Sequence, residues 1–82
     1  MPTVTMRYFA HARDPAGCAD EQLELPAELD AAALRALLQA RHPALARVLP
    51  ACRIAHNLEF AGATLRLADG DELALIPPVS GG

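Results

Sequence analysis

Apolar and polar residues alternate along the first segment of the chain, Thr3 to Phe9. One face of this segment carries Val4, Met6 and Tyr8. Alternation with β-branched and aromatic residues predicts a β-strand with one buried face. Phe9 falls on the opposite face, which indicates that the second face is not fully solvated near the end of the strand.

Two further segments are also predicted to be strands. Glu21 to Leu25 alternates and is ended by Pro26, which predicts a second strand in an antiparallel hairpin with the first. Glu72 to Ile76 is apolar on both faces, as expected for a strand in the middle of a sheet. We therefore predict that the first and last strands pair at the centre.

One helix is predicted, from Ala31 to His42, with Asp30 placed to cap its N-terminus and Pro43 ending it. Its apolar stripe consists of Leu34, Leu37 and Leu38. The stretch 11–20 is predicted as a loop and 44–50 as a connector.

The remaining strands are predicted from short apolar patterns bounded by turns. They run from Arg53 to Asn57, with a turn at Asn57-Leu58, and from Thr64 to Leu67. Asp69-Gly70 predicts a tight turn before the last strand. The order of elements predicts an α+β protein, a β-grasp (ubiquitin-like) mixed sheet of four to five strands packed on one main helix. We assign residues 1–76 to this domain and 77–82 to an extended, flexible C-terminal tail.

Composition and charge exclude some classes of partner. The chain has 82 residues and a formal net charge of −3, and all seven of its basic residues are arginines spread singly along the sequence. This distribution argues against a nucleic-acid partner, which would call for a clustered basic surface. With no long apolar run and no signal sequence in the opening residues, we expect a cytoplasmic protein with no membrane partner.

The cysteines and histidines give no strong signal. Cys18 and Cys52 show no CxxC spacing, so we expect buried or incidental thiols, with a disulfide between them left open. Cys18 could meet His11 or His56, although an inert loop thiol is the simpler interpretation.

Two other features have simple structural interpretations. A histidine at a helix end, such as His42, is usually structural. The acidic turn Asp69, Asp71 and Glu72 is predicted to be solvated, with attraction of a basic partner as its alternative role. No metal site is predicted from either feature.

The C-terminus carries the informative motif. Pro77 and Pro78 end strand pairing and direct the chain away from the body, and the following residues Val79, Ser80, Gly81 and Gly82 form a slender extension. The reactive group at its tip is the α-carboxylate of Gly82. This group is ionised at neutral pH, so it reacts as an acyl donor only after activation by another protein.

These residues resemble a known family, the molybdopterin synthase small subunits (MoaD), which are ubiquitin-like sulfur carriers. The resemblance covers nearly the whole chain and is sharpest in LADGDELALIPPVSGG at 67–82. It implies that Gly82 is activated with ATP by a ubiquitin-activating-like adenylyltransferase and receives sulfur from a desulfurase or rhodanese. It implies no cofactor bound by the chain itself.

The resemblance also implies a partner and a docking surface. The tail, residues 77–82, would insert into the large subunit of molybdopterin synthase within a heterotetramer, where the Gly82 thiocarboxylate donates sulfur to cyclic pyranopterin monophosphate. Phe9 and Ile76 would lie on the partner interface. The chain would then be a sulfur-donating subunit and not an enzyme alone.

Three alternatives remain open. A carrier for thiamine, cysteine or tRNA thiolation would share the diglycine terminus. A ubiquitin-like protein modifier would instead be joined through Gly82 to lysines of target proteins, although a chain without lysine cannot build polymers on itself. An interaction module with an inert tail is a third reading.

Overall fold

The computed structural model describes residues 1–9 and 12–78. Its main sheet has five strands, β1 (Thr3–Tyr8), β2 (Asp20–Glu24), β4 (Arg53–His56), β5 (Glu59–Phe60) and β7 (Glu72–Ile76). They lie in the order β2-β1-β7-β4-β5. The predicted mixed β-grasp sheet is confirmed.

The first and last strands are parallel neighbours at the centre of the sheet. Thr5 lies opposite Glu72 and Tyr8 opposite Leu75. All the other pairs in this sheet are antiparallel. The apolar character of β7 on both faces explains its position, because Leu73, Ala74 and Leu75 are all buried.

The core lies between one face of the sheet and the main helix, α2 (Ala31–Arg41). From the sheet it receives alternate side chains, and from the helix it receives Leu34 and Leu38, which are fully buried. The sheet side chains in the core are Val4, Met6, Tyr8, Leu23, Ile54, Leu73 and Leu75. The predicted stripe is thus confirmed for two leucines, while Leu37 is only partly buried.

The start of α2 differs from the prediction. Asp30 occupies the N-cap position in an extended conformation, but its side chain makes no capping hydrogen bond. The backbone N–H of Ala31 donates instead to the carbonyl of Ala63 at 2.8 Å. A neighbouring strand connection therefore satisfies the first helical donor. At the other end, His42 is the C-cap residue, one position beyond the helix.

Several short elements were not predicted from the sequence patterns. A single-turn helix, α1 (Arg13–Ala16), lies in the predicted loop, and two 3-10 helices, Pro43–Arg47 and Leu49–Ala51, form the predicted connector. The β6 strand (Thr64–Arg66) was predicted as part of the main sheet. It pairs instead with β3 (Glu28–Asp30) in a separate two-stranded sheet.

Arg35 fastens the connector to the helix. Its guanidinium donates to the carbonyl oxygens of Leu49 at 2.7 Å and Cys52 at 2.8 Å. These charge-assisted bonds tie the end of the connector to the helix.

Pro77 is buried and Pro78 is exposed. The predicted tail residues Val79 to Gly82, and His11, lie outside the described residues. Within 1–9 and 12–78, no helix has the length and apolarity to cross a bilayer.

Candidate functional site

The second face of the main sheet carries an apolar surface, which we call the outer patch. Its apolar members are Phe9, Ala55, Leu58, Phe60, Ala74 and Ile76. They line one shallow depression together with Arg7 and Glu72. The strand register explains the grouping, since Ala55 lies opposite both Ala74 and Phe60 and all three point away from the helix.

The structure brings together the two residues predicted to contact a partner. Phe9 directly follows β1, and Ile76 ends β7; because the two strands are parallel, they end side by side. The backbone N–H of Phe9 donates to the carbonyl of Leu75 at 3.4 Å, which extends the pairing beyond Tyr8. Both side chains line the outer patch and are half-buried. Their role in partner binding stays a prediction.

Leu58 and Phe60 belong to the same patch, although the sequence patterns did not single them out. Leu58 is 91% exposed and Phe60 is 59% exposed. Exposing large apolar side chains to water costs free energy, and covering them with another surface removes that cost. The available signal was an apolar residue in the predicted Asn57-Leu58 turn, a position where glycine is the usual choice.

The turn before Phe60 holds Leu58 in an unfavourable backbone conformation. Asn57 has φ of 50° and Leu58 has φ of 73°, both in the left-handed region. Asn57 tolerates this region, whereas leucine does so at a cost of about 1–2 kcal/mol. The turn is fixed to β7, because Asn57 donates its N–H to the Glu72 carbonyl and accepts the Glu72 N–H on Oδ1.

Two arginines flank the aromatic members of the patch. The Arg7 guanidinium lies 5.3 Å from the ring centre of Phe9 and donates to Glu72 at 3.1 Å. The Arg53 guanidinium lies 3.9 Å from the ring centre of Phe60. The patch is therefore an apolar centre with charged groups at its edge, which is the usual anatomy of a protein-binding surface.

The acidic turn serves the fold. Asp69 accepts the Thr3 N–H at 2.6 Å, and Asp71 accepts both the Ala68 N–H and His56 Nε2. The hydrogen bond from His56, helped by that from Ala68, holds the pKa of Asp71 at about 2. Asp69 and Asp71 therefore have structural roles. His56 is bonded to Asp71 and not to Cys18.

A second polar cluster surrounds Glu21. One carboxylate oxygen, Oε1, accepts from Arg41, and the other, Oε2, contacts Tyr8 at 2.7 Å and His42 Nε2 at 2.5 Å. Cys18 Sγ lies 3.9 Å from Oε2. The histidine near Cys18 is thus His42, and the pairing considered with His56 is wrong because His56 bonds to Asp71.

The cluster controls the ionisation of its members. Burial raises the pKa of Glu21, but hydrogen bonds from Tyr8, His42 and Arg41 outweigh it and hold that pKa at about 2. Burial and the Glu21 charge raise the pKa of the Cys18 thiol. Cys18 is consequently a protonated, weak nucleophile at neutral pH, in line with the expected inert thiol. Both cysteines are free, and Cys52 is buried.

Comparison with known proteins gives consistent matches over the whole length. Residues 6–82 match the ThiS family. The chain is 40% identical over 81 residues to the molybdopterin synthase sulfur carrier subunit of Chlamydomonas reinhardtii, covering 96% of this chain and 98% of that protein.

Two solved structures share the fold. One is a chain from the complex of subunits 1 and 2 of the molybdopterin-converting factor of Helicobacter pylori, with 32% identity, a TM-score of 0.72 and coverage of 98% and 99% of the two chains. The other is SAMP1, small archaeal modifier protein 1, of Haloferax volcanii, with 31% identity, a TM-score of 0.80 and coverage of 98% and 99%.

The strained turn predicts a stabilising substitution. Leu58→Gly should raise the free energy of unfolding by about 1 kcal/mol, because it relieves the left-handed penalty and loses only part of the gain to the freedom of glycine in the unfolded chain. Urea unfolding measures this difference. Gly70→Ala is the opposite control: Gly70 has φ of 87° with no atom near its Cβ position, so the substitution should destabilise through the backbone alone. Destabilisation by Leu58→Gly would contradict the assignment.

The Glu21 cluster predicts a pH-dependent contribution to stability. The folded pKa of about 2 lies below the ordinary 4.5, so the contribution is present above about pH 4.5 and is lost as the pH falls towards 2. Glu21→Gln should lower the free energy of unfolding at pH 7 by up to about 3 kcal/mol and by much less at pH 2. Urea unfolding at both pH values tests this.

Glu24→Gln, at an exposed position on the same strand, is the control for Glu21. It should change stability by less than about 0.5 kcal/mol at either pH. An equal deficit of the Glu21→Gln variant at pH 2 and pH 7 would show that the carboxylate charge is not responsible.

Proposed function

Because the chain belongs to the ThiS family, we propose that it is a sulfur carrier that acts as the small, sulfur-donating subunit of a molybdopterin synthase in molybdenum cofactor biosynthesis. Full-length relatives named as that subunit support the role. The structural observation that carries the proposal is the parallel pairing of β1 and β7. It places the start of the C-terminal segment at the edge of the outer patch.

The chemistry of the carrier takes place at Gly82. A carboxylate oxygen of Gly82 attacks ATP on a ubiquitin-activating-like adenylyltransferase, forming an acyl adenylate and releasing pyrophosphate. The sulfur of a persulfide from a desulfurase or rhodanese then displaces AMP. Cleavage of the resulting S–S bond by a thiol leaves the thiocarboxylate on Gly82. Activation is required because the free carboxylate is ionised and a poor electrophile.

The body of the protein supplies position. Pro77 is buried, and Pro78 has a restricted φ and no N–H to pair with a strand. Gly81 and Gly82 lack a Cβ and suit a narrow channel. We propose that residues 77–82 enter the large subunit, where the thiocarboxylate passes its sulfur to cyclic pyranopterin monophosphate. Two such transfers build the dithiolene that holds molybdenum.

The outer patch provides the contact with that subunit. Phe9 and Ile76 adjoin the start of the tail, so docking of the patch directs the tail into the partner. The Helicobacter pylori structure, a complex of two subunits, supports a partner of this kind. We propose a heterotetramer of two small and two large subunits in the cytoplasm.

A protein modifier is the second candidate, favoured by the likeness to SAMP1 of Haloferax volcanii. In that role the activated Gly82 carbonyl would be attacked by a lysine amine of a target, releasing AMP and forming an isopeptide bond. Carriers for other thiolation pathways form a third group. The outcome of loading in the presence of each acceptor separates them.

Loading at Gly82 is the central test. Full-length chain incubated with ATP, the adenylyltransferase and a sulfur source should gain the mass expected when sulfur replaces one oxygen. Deletion of Gly82 should abolish sulfur donation to the large subunit while leaving the circular dichroism spectrum and melting temperature unchanged, because the described core involves no residue beyond Pro77. Absence of the mass change in the intact chain, or unfolding on deletion, would contradict the proposal.

The outer patch gives a test of docking. Ile76→Glu should weaken binding to the large synthase subunit by at least about tenfold, equivalent to about 1.4 kcal/mol, because it buries a charge in an apolar contact. Calorimetry or surface plasmon resonance measures the affinity. Gln22→Glu adds the same charge on the same sheet face, on the edge strand β2 and outside the patch, and should bind as the unaltered chain does. Equal losses for both variants would point to charge alone.

A further inference from the structure

Three metal-binding side chains meet at one end of the main sheet. The Sγ of Cys18, a carboxylate oxygen of Glu21 and a ring nitrogen of His42 all lie within 4.8 Å of one another, and all three residues are partly buried. We propose that these residues form a zinc site that uses Cys18 Sγ, Glu21 Oε2 and His42 Nε2, with water as the fourth ligand.

The distances lie within about 1 Å of those in a tetrahedral zinc site. With bonds of about 2.0–2.3 Å, neighbouring ligand atoms in such a site lie about 3.3–3.7 Å apart. Here His42 Nε2 lies 2.5 Å and Cys18 Sγ 3.9 Å from Glu21 Oε2. Entry of the ion requires shifts of about 1 Å, within reach of side-chain rotation.

The surroundings orient the carboxylate. Arg41 donates from Nε at 3.1 Å and from its terminal nitrogen at 2.6 Å, both to Oε1, so Oε2 faces Cys18, His42 and the Tyr8 hydroxyl, which donates to Oε2 at 2.7 Å. Carboxylates that ligate zinc are commonly held by hydrogen bonds of this kind. Arg41, whose side chain is 48% exposed, pairs its positive charge with Oε1 of Glu21.

Three separate parts of the fold hold the ligands. Cys18 follows Gly17, which ends α1 in a left-handed conformation and donates its N–H to Arg13 and Asp14 carbonyls. Glu21 lies within β2, and His42 is fixed at the end of α2 by its N–H bond to Leu38. The three ligand-bearing segments are therefore held close to one another before an ion arrives.

The donor set selects the metal. A thiolate, an imidazole and a carboxylate favour Zn²⁺ over Mg²⁺ or Ca²⁺, which prefer oxygen ligands. On binding, the Cys18 thiol releases its proton to solvent and His42 keeps a proton on Nδ1 only. No electrons are exchanged, because Zn²⁺ is not redox-active.

Cobalt serves as the spectroscopic probe of this site. Titration of the reduced full-length chain with Co²⁺ should give a one-to-one complex with a sulfur-to-cobalt charge-transfer band in the near ultraviolet and tetrahedral bands in the visible, all removed by Zn²⁺. Cys18→Ser should lose the charge-transfer band and weaken Co²⁺ binding by at least about tenfold, the effect of losing even a supporting group. Cys52→Ser, altering the buried cysteine away from the cluster, is the matched control and should keep the band.

A second readout is independent of the spectrum. Zn²⁺ should raise the melting temperature of the unaltered chain and of Cys52→Ser, but not that of Cys18→Ser or His42→Ala, because binding to the folded state alone stabilises it. Circular dichroism establishes that each variant is folded. The proposal is overturned by no Co²⁺ binding, by a complex without the charge-transfer band, or by a band that survives in Cys18→Ser.

Discussion

The parallel pairing of β1 with β7 is the constraint on which the rest of the structure depends. It joins residues more than sixty positions apart in sequence and places two apolar strands at the middle of the sheet. Helix α2 then covers one face, while β2 and β4 add to the outer edges of the pair. The same pairing makes both strands end together, so Phe9, Ile76 and Pro77 share one end of the molecule.

The two faces of this sheet have different surroundings: one is buried in the core and the other is exposed. The inner face is closed by leucines of α2 and holds the core. On the outer face, the small residues Ala55 and Ala74 lie at the centre, and larger apolar side chains surround them. The result is a shallow apolar depression bordered by arginines. Leu58, in the strained turn, forms part of its lining. The fold therefore tolerates an unfavourable backbone where a partner surface is expected.

The central architecture could be predicted from the sequence because its signals are local and strong. Alternation in β1, the apolar run of β7 and the alanine- and leucine-rich α2 each determine an element, and the proline pair marks the end of the sheet. The short elements α1, β3 and β5 could not be predicted, because two to four residues carry no period of their own. Their conformations come from tertiary contacts.

Site residues followed the same division. Phe9 and Ile76 are predicted from the family resemblance, and the alternation along their strands agrees with it, whereas Leu58 and Phe60 depend on a hairpin that positions them beside β7. The meeting of Cys18 with His42 joins a turn to a helix end, and spacing in sequence gives no sign of it. Asp30 shows the converse: its residue type suits a cap, but the Ala63 carbonyl already satisfies the nearest donor.

Placement of β7 between β1 and β4 also has a consequence for biosynthesis. During translation the nascent chain can form its helix early, but its sheet stays open until residues 72–76 have left the ribosome. Until then β1 exposes an unpaired apolar edge, and pairing across such sequence separation is slow. A nascent polypeptide of this design therefore depends on β7 for protection from aggregation and proteases, and chains stalled before β7 would be natural clients for chaperones.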